Sequence, residues 1–232
     1  MGTRNTVLLV NPNSNSKTTA MMAELAAAQL EPHGFDVVGL TAAAGPAMII
    51  DPGALAESQP HVRSAVLDYL SGPDLSGRDG GSVAGVIVAA IGDPGRAELH
   101  EALELPVVGI GQGSIHAAAR GNRKFGMATS TPLLAESLEK LVAAHGKSEL
   151  FTGVRLTDSE PLVLAADPER QYLELAAAVE QSTLDGAEAV IIAGGPLSAT
   201  ALRLAQTTTA EIVQPVPSAC RLLLERLGVA VP

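Results

Sequence analysis

The stretch Val86-Ile-Val-Ala-Ala-Ile-Gly-Asp-Pro-Gly95 is an apolar run that ends abruptly in turn-forming residues. A short apolar run bounded by such residues predicts a strand buried on both faces, as in a parallel sheet. A similar stretch, Ala189-Val-Ile-Ile-Ala-Gly-Gly-Pro-Leu-Ser198, follows in the second half of the chain. Open α/β sheets bind ligands beyond the carboxyl ends of their strands. The two stretches therefore predict two similar lobes whose strand ends face one cleft.

Strands and helices alternate around these stretches, which predicts an α/β protein with parallel sheets. The other predicted strands are Thr6–Val10, Phe35–Leu40, Pro106–Ile110, Lys124–Ser130, Thr152–Leu156 and Glu211–Val216. The predicted helices are Lys17–Leu30, Val62–Leu70, Arg96–Leu103, Ile115–Ala119, Pro132–Ala144, Glu169–Leu184 and Ser218–Leu227. Between them, Thr41–Pro60 is either a lid over the cleft or a surface connection, Ser71–Ser82 has the composition of a mobile loop, and Gly111–Ser114 is predicted to be a turn.

The two halves align with each other as β-turn-α units. The matching segments are Val7–Asn13 with Phe125–Thr131, Val86–Gly95 with Val190–Ser198, and Val107–His116 with Ile212–Cys220. This internal duplication predicts two pseudo-symmetric lobes, each a short parallel sheet flanked by helices, with the ligand cleft between them. The expected lobes are residues 1–121 and 122–232, and the last helix could pack back across the first lobe.

Composition limits the possible partners of the 232-residue chain. A net charge of −10 disfavours nucleic acid and anionic membrane surfaces, although it leaves room for a small anionic substrate. Only 2% of the residues are aromatic, so the core must be aliphatic and stacking on single-stranded nucleic acid is disfavoured. One cysteine excludes a disulfide within the chain, and neither a signal-peptide pattern nor a membrane-spanning run is present. We therefore expect a cytoplasmic protein that binds a small molecule.

The motifs of this chain resemble those of the aspartate/glutamate/hydantoin racemase superfamily, and within it most closely the hydantoin racemases. The matching pieces are Asn11-Pro-Asn-Ser14 with Thr19, Gly45-Pro46 with Ile49, Gly92-Asp-Pro-Gly95, Pro106-Val-Val-Gly-Ile110, Phe125-Gly-Met-Ala-Thr-Ser130, Gly186-Ala-Glu188 and Val216-Pro-Ser-Ala219. They follow the family's order over nearly the whole chain. The resemblance implies two α/β lobes, a small-molecule cleft between them, a homo-oligomer, no cofactor, and racemisation by two cysteines on opposite faces of the substrate carbon.

Both cysteine positions of the family are replaced in this chain. The resemblance places them at Ala90 and Gly194, and neither residue can carry a proton. The single cysteine, Cys220, lies outside both motifs and is most simply a small apolar core residue. The two-thiol mechanism therefore cannot operate here.

The groups expected to bind the substrate do not depend on the cysteines. Backbone N–H groups of Ile91, Gly92, Gly194 and Gly195 follow the two strands, whereas Pro196 has no N–H to donate. We also expect the Thr129 and Ser130 hydroxyl groups, and the Asn11 amide and Ser14 hydroxyl groups, to face the cleft. The alternative for the turn that holds Asn11 and Ser14 is helix capping alone, by Ser14, Asn15 or Ser16. Such donors can stabilise an enolate without a thiol.

Two side chains are candidates for proton transfer. Asp93 follows the first strand, although an Asp-Pro pair in that place often caps a helix, and His116 begins a helix, where a lone histidine is often structural. No metal-ligand cluster or nucleotide-binding motif is present in the sequence. The sequence thus predicts an isomerase or lyase that acts next to a carbonyl or carboxylate group without the cysteine pair. The alternatives are a silent ligand-binding member of the family and an ordinary racemase whose cysteines have been replaced.

Overall fold

The computed structural model describes residues 4–72 and 82–230. The strands are β1 (Asn5–Asn11), β2 (Phe35–Thr41), β3 (Val83–Val88), β4 (Val107–Gly109), β5 (Phe125–Thr129), β6 (Phe151–Leu156), β7 (Ala189–Ile192) and β8 (Glu211–Val213). The α-helices are α1 (Ser16–Leu30), α2 (Pro52–Ser71), α3 (Arg96–Ala102), α4 (Ile110–Ala118), α5 (Ala135–Ala144), α6 (Pro161–Ala166), α7 (Pro168–Leu184), α8 (Ser198–Thr207) and α9 (Pro215–Arg226). Short 3-10 turns cover Glu31–His33, Arg120–Asn122, Pro132–Leu134, Ser148–Leu150 and Gly195–Leu197. Most of the loop expected at Ser71–Ser82 lies outside the described residues.

The strands form two four-stranded parallel sheets with the same topology. The order is β2-β1-β3-β4 in the first sheet and β6-β5-β7-β8 in the second. In the first sheet β1 lies between β2 and β3, just as β5 lies between β6 and β7 in the second. The repeated order confirms the predicted α/β fold with two lobes.

The last helix of each half crosses to the sheet of the other half. Val216 and Leu223 of α9 pack in one apolar cluster with Val7 and Leu9 of β1. In the same way Ile115 of α4 packs against the second sheet, in a cluster that contains many of the buried residues of β5 and β7. The opposite face of the first sheet packs against α2 and α3, and that of the second packs against α7 and α8. Each sheet is therefore covered on both sides, which explains its continuous apolar strands.

Helix α2 begins ten residues before the predicted Val62. Asp51 is its N-cap, since the carboxylate accepts a hydrogen bond from the Ala54 N–H at 2.8 Å, and Pro52 occupies the first turn, where no N–H is needed. Pro60 lies inside the helix without ending it. The segment Thr41–Pro60 is thus half loop and half helix. None of the helices within residues 4–72 and 82–230 combines the length and the apolar character needed to cross a membrane.

Helix α4 begins at Ile110, in a glycine-rich stretch that we predicted to be a turn. The glycines are needed because other chain segments approach the helix closely. A Cβ atom on Gly111 would lie 2.1 Å from the Ile91 carbonyl oxygen, and one on Gly113 would lie 2.6 Å from the backbone N and Cα of Ala219 in α9. A helix packed at this distance excludes any side chain at these positions.

Candidate functional site

A cavity lies between the carboxyl ends of the two sheets, as the strand pattern predicted. It encloses about 720 Å³ of space, counting the part that opens to solvent. The residues that follow β3 form one wall, and those that follow β5 and β7 form the other. The lining residues are Asn13, Thr18, Met22, Met48, Ile49, Leu55, Ala89, Ala90, Ile91, Gly92, Thr129, Ser130, Thr131, Leu134, Pro161, Ala165, Gln171, Ala193, Gly194, Gly195, Pro196 and Leu197.

Both positions that the resemblance assigns to the family's cysteines line this cavity. Ala90 follows β3 of the first lobe, and Gly194 follows β7 of the second. The backbone of Gly194 is extended, with φ 173°, which any residue adopts. The cavity therefore lies where a pair of thiols would act from two opposite walls.

None of the described side chains that line the cavity carries an ionisable acid or base. The polar ones are the amides of Asn13 and Gln171 and the hydroxyl groups of Thr18, Ser130 and the pair Thr129–Thr131; the others are apolar or glycine. An acid–base catalyst must gain and lose a proton, which amides and hydroxyl groups do poorly near neutral pH. Any proton transfer in this cavity must therefore involve solvent or a group outside the described lining.

Several backbone N–H groups at the cavity remain available to a ligand. The N–H groups of Ile91, Gly92, Ser130 and Gly195 form no hydrogen bond with the described part of the chain. In contrast, the Gly194 N–H donates to the Ile192 carbonyl at 3.0 Å, so the expectation that it serves the ligand is not supported. The remaining donors come from both lobes, and fixed backbone donors of this kind are what an oxyanion site uses.

The two threonines at the end of β5 offer acceptors rather than donors. The Thr129 hydroxyl is buried and donates its only proton to the Ala193 carbonyl at 2.8 Å. The hydroxyl oxygens of Thr129 and Thr131 lie 3.0 Å apart, so Thr131 must be the donor in that pair. The Ser130 hydroxyl, which the described residues leave without a hydrogen bond, is the one that can donate to a ligand.

Asn13, which the sequence reasoning missed, lines the cavity in place of Asn11 and Ser14. Asn11 is buried, and its amide nitrogen donates to the Asn13 Oδ1 at 2.9 Å and to the Thr19 hydroxyl at 3.0 Å. It therefore stabilises the turn after β1. Ser14 is exposed, and its N–H donates to the Pro46 carbonyl at 3.1 Å. Asn15 caps α1, as the alternative interpretation of this turn expected.

The orientation of the Asn13 amide follows from its neighbours. Its Oδ1 accepts a hydrogen bond from the Asn15 backbone N–H at 2.9 Å, and a backbone N–H can only donate. The Nδ2 of Asn13 is thus left as a donor without a partner in residues 4–72 and 82–230. Asn11 and Asn13 lie two residues apart in the same turn, so the sequence alone could not decide between them.

The Asp93 side chain points away from the cavity and caps α4, a helix that follows it further along the chain. Its carboxylate oxygens accept hydrogen bonds from the N–H groups of Gly111, at 2.8 Å, and Gln112, at 2.6 Å, at the start of α4. The side chain is 7% exposed, and its backbone has a positive φ of 50°. A Cβ on Gly109 would lie 2.1 Å from the carboxyl group, so the glycine-rich start of α4 also makes room for this contact. The capping alternative fits Asp93 better than proton transfer, although the capped helix is α4 rather than the adjacent α3.

Asp93 should make stability depend on pH. Burial raises the pKa of Asp93 to about 7 from an ordinary value of 3.8, against the opposing effect of hydrogen bonds from Gly111 and Gln112. A carboxyl group with a raised pKa binds more protons in the folded state, so its contribution is complete below pH 3.8 and is lost as the pH rises to about 7. The unfolding free energy of wild type minus that of Asp93→Asn should fall by about 4 kcal/mol across this window.

Urea unfolding at several pH values measures this difference. Asp158→Asn, which removes an exposed carboxyl group outside the cavity, provides the control, and its difference from wild type should stay flat. If the unfolding free energy of wild type minus that of Asp93→Asn instead rose with pH, the two backbone hydrogen bonds would be keeping Asp93 ionised.

His116 also lies away from the cavity. It is exposed near the end of α4, and its ring contacts that of His145 edge to face, with 5.7 Å between the ring centroids. Partial burial of the ring lowers the pKa of His116, and burial, followed by the charges of His116, Arg96 and Arg226, lowers the pKa of His145 to about 4. The two rings pack on each other at the C-terminal ends of α4 and α5, and neither histidine lines the cavity.

The segment after β2 forms the outer wall of the cavity, so the lid alternative describes it better than a surface connection. Met48, Ile49 and Leu55 line the cavity from this segment. Leu55 contacts the turn after β3, where a Cβ on Gly92 would lie 2.7 Å from one of its methyl groups. The segment is joined to the turn after β1 by the hydrogen bond from the Ser14 N–H to Pro46.

The remaining candidates for chemistry lie elsewhere. Cys220 is fully buried in α9, outside the cavity lining, and burial raises the pKa of its thiol to about 12. Within the described ranges no group of three or more histidine, cysteine, aspartate or glutamate side chains is arranged to hold a metal ion.

Two parallel sheets of identical topology, with a cavity between their carboxyl ends, define a class of two-lobed α/β enzymes. A family model described as Asp/Glu/Hydantoin racemase matches residues 7–223, and this chain belongs to that family. It is similar to the hydantoin racemases of Paenarthrobacter aurescens (26% identity over 216 residues, 93% of this chain and 88% of the relative) and Rhizobium meliloti (27% over 221 residues, 95% and 88%). The solved allantoin racemase from Pseudomonas fluorescens matches with a TM-score of 0.84 and 25% identity over 98% of this chain and 93% of that one. The chain is therefore a racemase-type isomerase by descent.

Proposed function

We propose that this racemase-family enzyme is a cofactor-independent isomerase or lyase that acts at the carbon next to a carbonyl group of a small, hydantoin-like or amino-acid-like molecule, without a cysteine pair. The observation that carries the proposal is the cavity itself. It retains unpaired donors from both lobes at the carboxyl ends of the two sheets, while Ala90 and Gly194 stand where the family resemblance expects thiols.

The donors support stabilisation of an enolate. When the bond between the substrate carbon and its α-hydrogen breaks, the electron pair moves onto the carbonyl oxygen, which becomes an oxyanion. The N–H groups of Ile91, Gly92 and Gly195 and the Ser130 hydroxyl can donate to that oxygen, and each good donor of this kind typically lowers the barrier by about 3 kcal/mol. The acceptors on Thr129 and Thr131 suit the N–H groups of a cyclic ureide.

Solvent then supplies the proton chemistry. Hydroxide takes the α-proton and becomes water, and a water molecule later returns a proton to the enolate carbon and becomes hydroxide. Return to the opposite face gives the other enantiomer. The apolar side chains around the donors, among them Met22, Met48 and Leu134, exclude bulk water and strengthen these hydrogen bonds.

A second candidate is a family member that binds the same ligand without turning it over. The absence of an ionisable side chain from the described lining of the cavity favours this alternative directly. The two candidates predict the same ligands and differ only in the fate of the α-hydrogen.

Proton NMR in D₂O tests the proposal and separates the two candidates. The protein is incubated with substituted hydantoins, amino acids and arylmalonate-like acids, and the α-hydrogen signal is followed. We expect exchange on a hydantoin-like compound at least about tenfold faster than without protein. Ala90→Leu, which fills the cavity, should abolish the effect, whereas Ala28→Leu on the exposed side of α1 should not. Saturable ligand-induced thermal stabilisation without exchange would contradict the enzymatic proposal and support the binding role.

A further inference from the structure

The Asn13 side chain presents a hydrogen-bond donor of fixed direction to the cavity. It is 7% exposed and lines the cavity from the turn after β1. Its Oδ1 accepts hydrogen bonds from the Asn11 amide nitrogen and from the Asn15 backbone N–H, both at 2.9 Å. The amide group cannot turn over without losing both bonds, because its nitrogen cannot accept them. The Nδ2 protons of Asn13 are therefore left for a partner outside this turn.

A ligand in the cavity can reach this nitrogen. The Nδ2 of Asn13 has no hydrogen-bond partner in residues 4–72 and 82–230. It is nevertheless not sealed from solvent, in contrast to unpartnered and fully enclosed atoms of the described chain such as the Ser182 hydroxyl. A nearly buried donor without a partner costs free energy, and a ligand that accepts a hydrogen bond from it removes this cost.

The Asn13 donor lies close to the backbone donors that we propose for the enolised carbonyl group. Asn13 follows β1, whereas Ile91 and Gly92 follow β3, the neighbour of β1 in the first sheet. Neighbouring strands lie about 5 Å apart. From the second lobe, a Cβ on Gly195 would lie 3.4 Å from the Ala89 carbonyl oxygen at the end of β3. Two groups of donors this close can each bind one oxygen atom of the same small molecule.

We infer that Asn13 is a specificity-determining residue that donates to a second carbonyl oxygen of the ligand. The cavity then selects cyclic imides and ureides that carry two ring carbonyl groups. This inference rests on the proposed function, which assigns the first carbonyl group to the backbone donors. None of the described lining residues is charged, so two neutral carbonyl oxygens satisfy both groups of donors without burying an ion. A ligand without the second carbonyl group leaves the Asn13 donor unpaired, and sites built around a hydrogen bond reject such ligands.

Isothermal titration with two compounds that differ in one carbonyl group tests this inference. Benzylsuccinimide has two ring carbonyl groups, and the corresponding benzyl γ-lactam keeps only the one next to the substituted carbon. We expect wild type to bind the imide at least about tenfold more tightly than the lactam. Asn13→Asp keeps the Oδ1 acceptor but replaces the donor by a second carboxylate oxygen. In that variant the imide should bind at least about tenfold more weakly than in wild type, and the difference between the two compounds should disappear.

Asn15→Asp is the matched control, because it makes the same chemical change two residues further along the chain. Asn15 is exposed, and its side chain uses only the oxygen, which accepts from the backbone N–H groups of Lys17 and Thr18. This variant should bind both compounds as wild type does. Circular dichroism checks that both variants are folded. A purely structural Asn13, which acts only through its Oδ1, would leave the affinity of Asn13→Asp unchanged.

NMR of the Asn13 side-chain amide in the wild-type protein supplies a measurement that does not depend on the variants. The Nδ2 resonances should shift when benzylsuccinimide binds and should stay much closer to their free positions with the lactam. Equal affinity of wild type for the two compounds, an undiminished preference in Asn13→Asp, or no binding of the imide would overturn the inference.

These outcomes are distinct from a failure of the proposed function, which is judged by exchange of the α-hydrogen. Exchange on benzylsuccinimide without a preference over the lactam would sink the assignment of Asn13 and leave the isomerase or lyase proposal standing. A preference that depends on Asn13 without any exchange would support the assignment and leave the protein with a binding role.

Discussion

Placing cysteine at both positions where the family resemblance expects it, in Ala90→Cys/Gly194→Cys, is expected to raise the rate of hydantoin racemisation by at least about 10²-fold over wild type. Both residues line the cavity from opposite lobes, so the two thiols would face a bound ligand from two sides. The site should accept them. Position 194 is extended, and a Cβ there would lie 3.1 Å from the flexible Leu197 side chain, which needs to move by only a few tenths of an ångström.

Serine at the same two positions is the matched control for this experiment. Ala90→Ser/Gly194→Ser adds groups of similar size that do not ionise near neutral pH, so its racemisation should stay close to that of wild type. Circular dichroism followed by polarimetry on one hydantoin compares the three proteins. Equal rates for wild type and the folded cysteine variant would mean that the cavity has been rebuilt for a different substrate or a different reaction.

Gly113→Ala is expected to destabilise the fold by about 2 to 4 kcal/mol. The added methyl group would lie 2.6 Å from the backbone N and Cα of Ala219, and backbone atoms cannot turn aside as a side chain does. The contact joins α4, which packs on the second sheet, to α9, which packs on the first. Separating these helices disturbs both cores, and this loss exceeds the gain of up to about 1 kcal/mol from replacing glycine in a helix.

Chemical denaturation measures this effect, with Gly53→Ala as the control. Gly53 is also helical, but its Cβ would meet only the end of the Asp51 side chain, at 3.1 Å. We expect that variant to lie within about 1 kcal/mol of wild type. A Gly113→Ala protein as stable as wild type would show that α4 and α9 can move apart freely.

The buried strands were predictable because the residues that define each strand are adjacent in the sequence. Runs such as Val86–Val88 and Ala189–Ile192 are apolar on both faces and end in glycine or proline, so periodicity and turn residues place them. The repeated order of these units in both halves also predicted the two lobes. The start of α2 was missed because Pro52, Gly53 and Pro60 resemble a loop, although Asp51 followed by Pro52 is a valid helix start.

The direction of individual side chains was harder to predict, since it depends on contacts distant in the sequence. Asp93 lies beside a cavity residue, Gly92, but its carboxyl group reaches backbone N–H groups about twenty residues further along the chain. The glycines of α4 suggested a turn because the sequence does not show the Asp93 carboxyl group and α9 packed against them. Residue type still raised the question that matters most for the site, since Ala90 and Gly194 stand where the family resemblance expects thiols.

The pH dependence of α-hydrogen exchange tests most directly whether a side chain moves the proton. With hydroxide as the base, the exchange rate of a hydantoin on the wild-type protein should rise about tenfold for each unit between about pH 6 and about pH 8, in proportion to hydroxide. The exchange rate on the Asp93→Asn protein should rise with pH at the same slope. A rate that levels off near the pKa of about 7 of Asp93, and that loses this plateau in Asp93→Asn, would contradict the account and assign the proton to that carboxyl group.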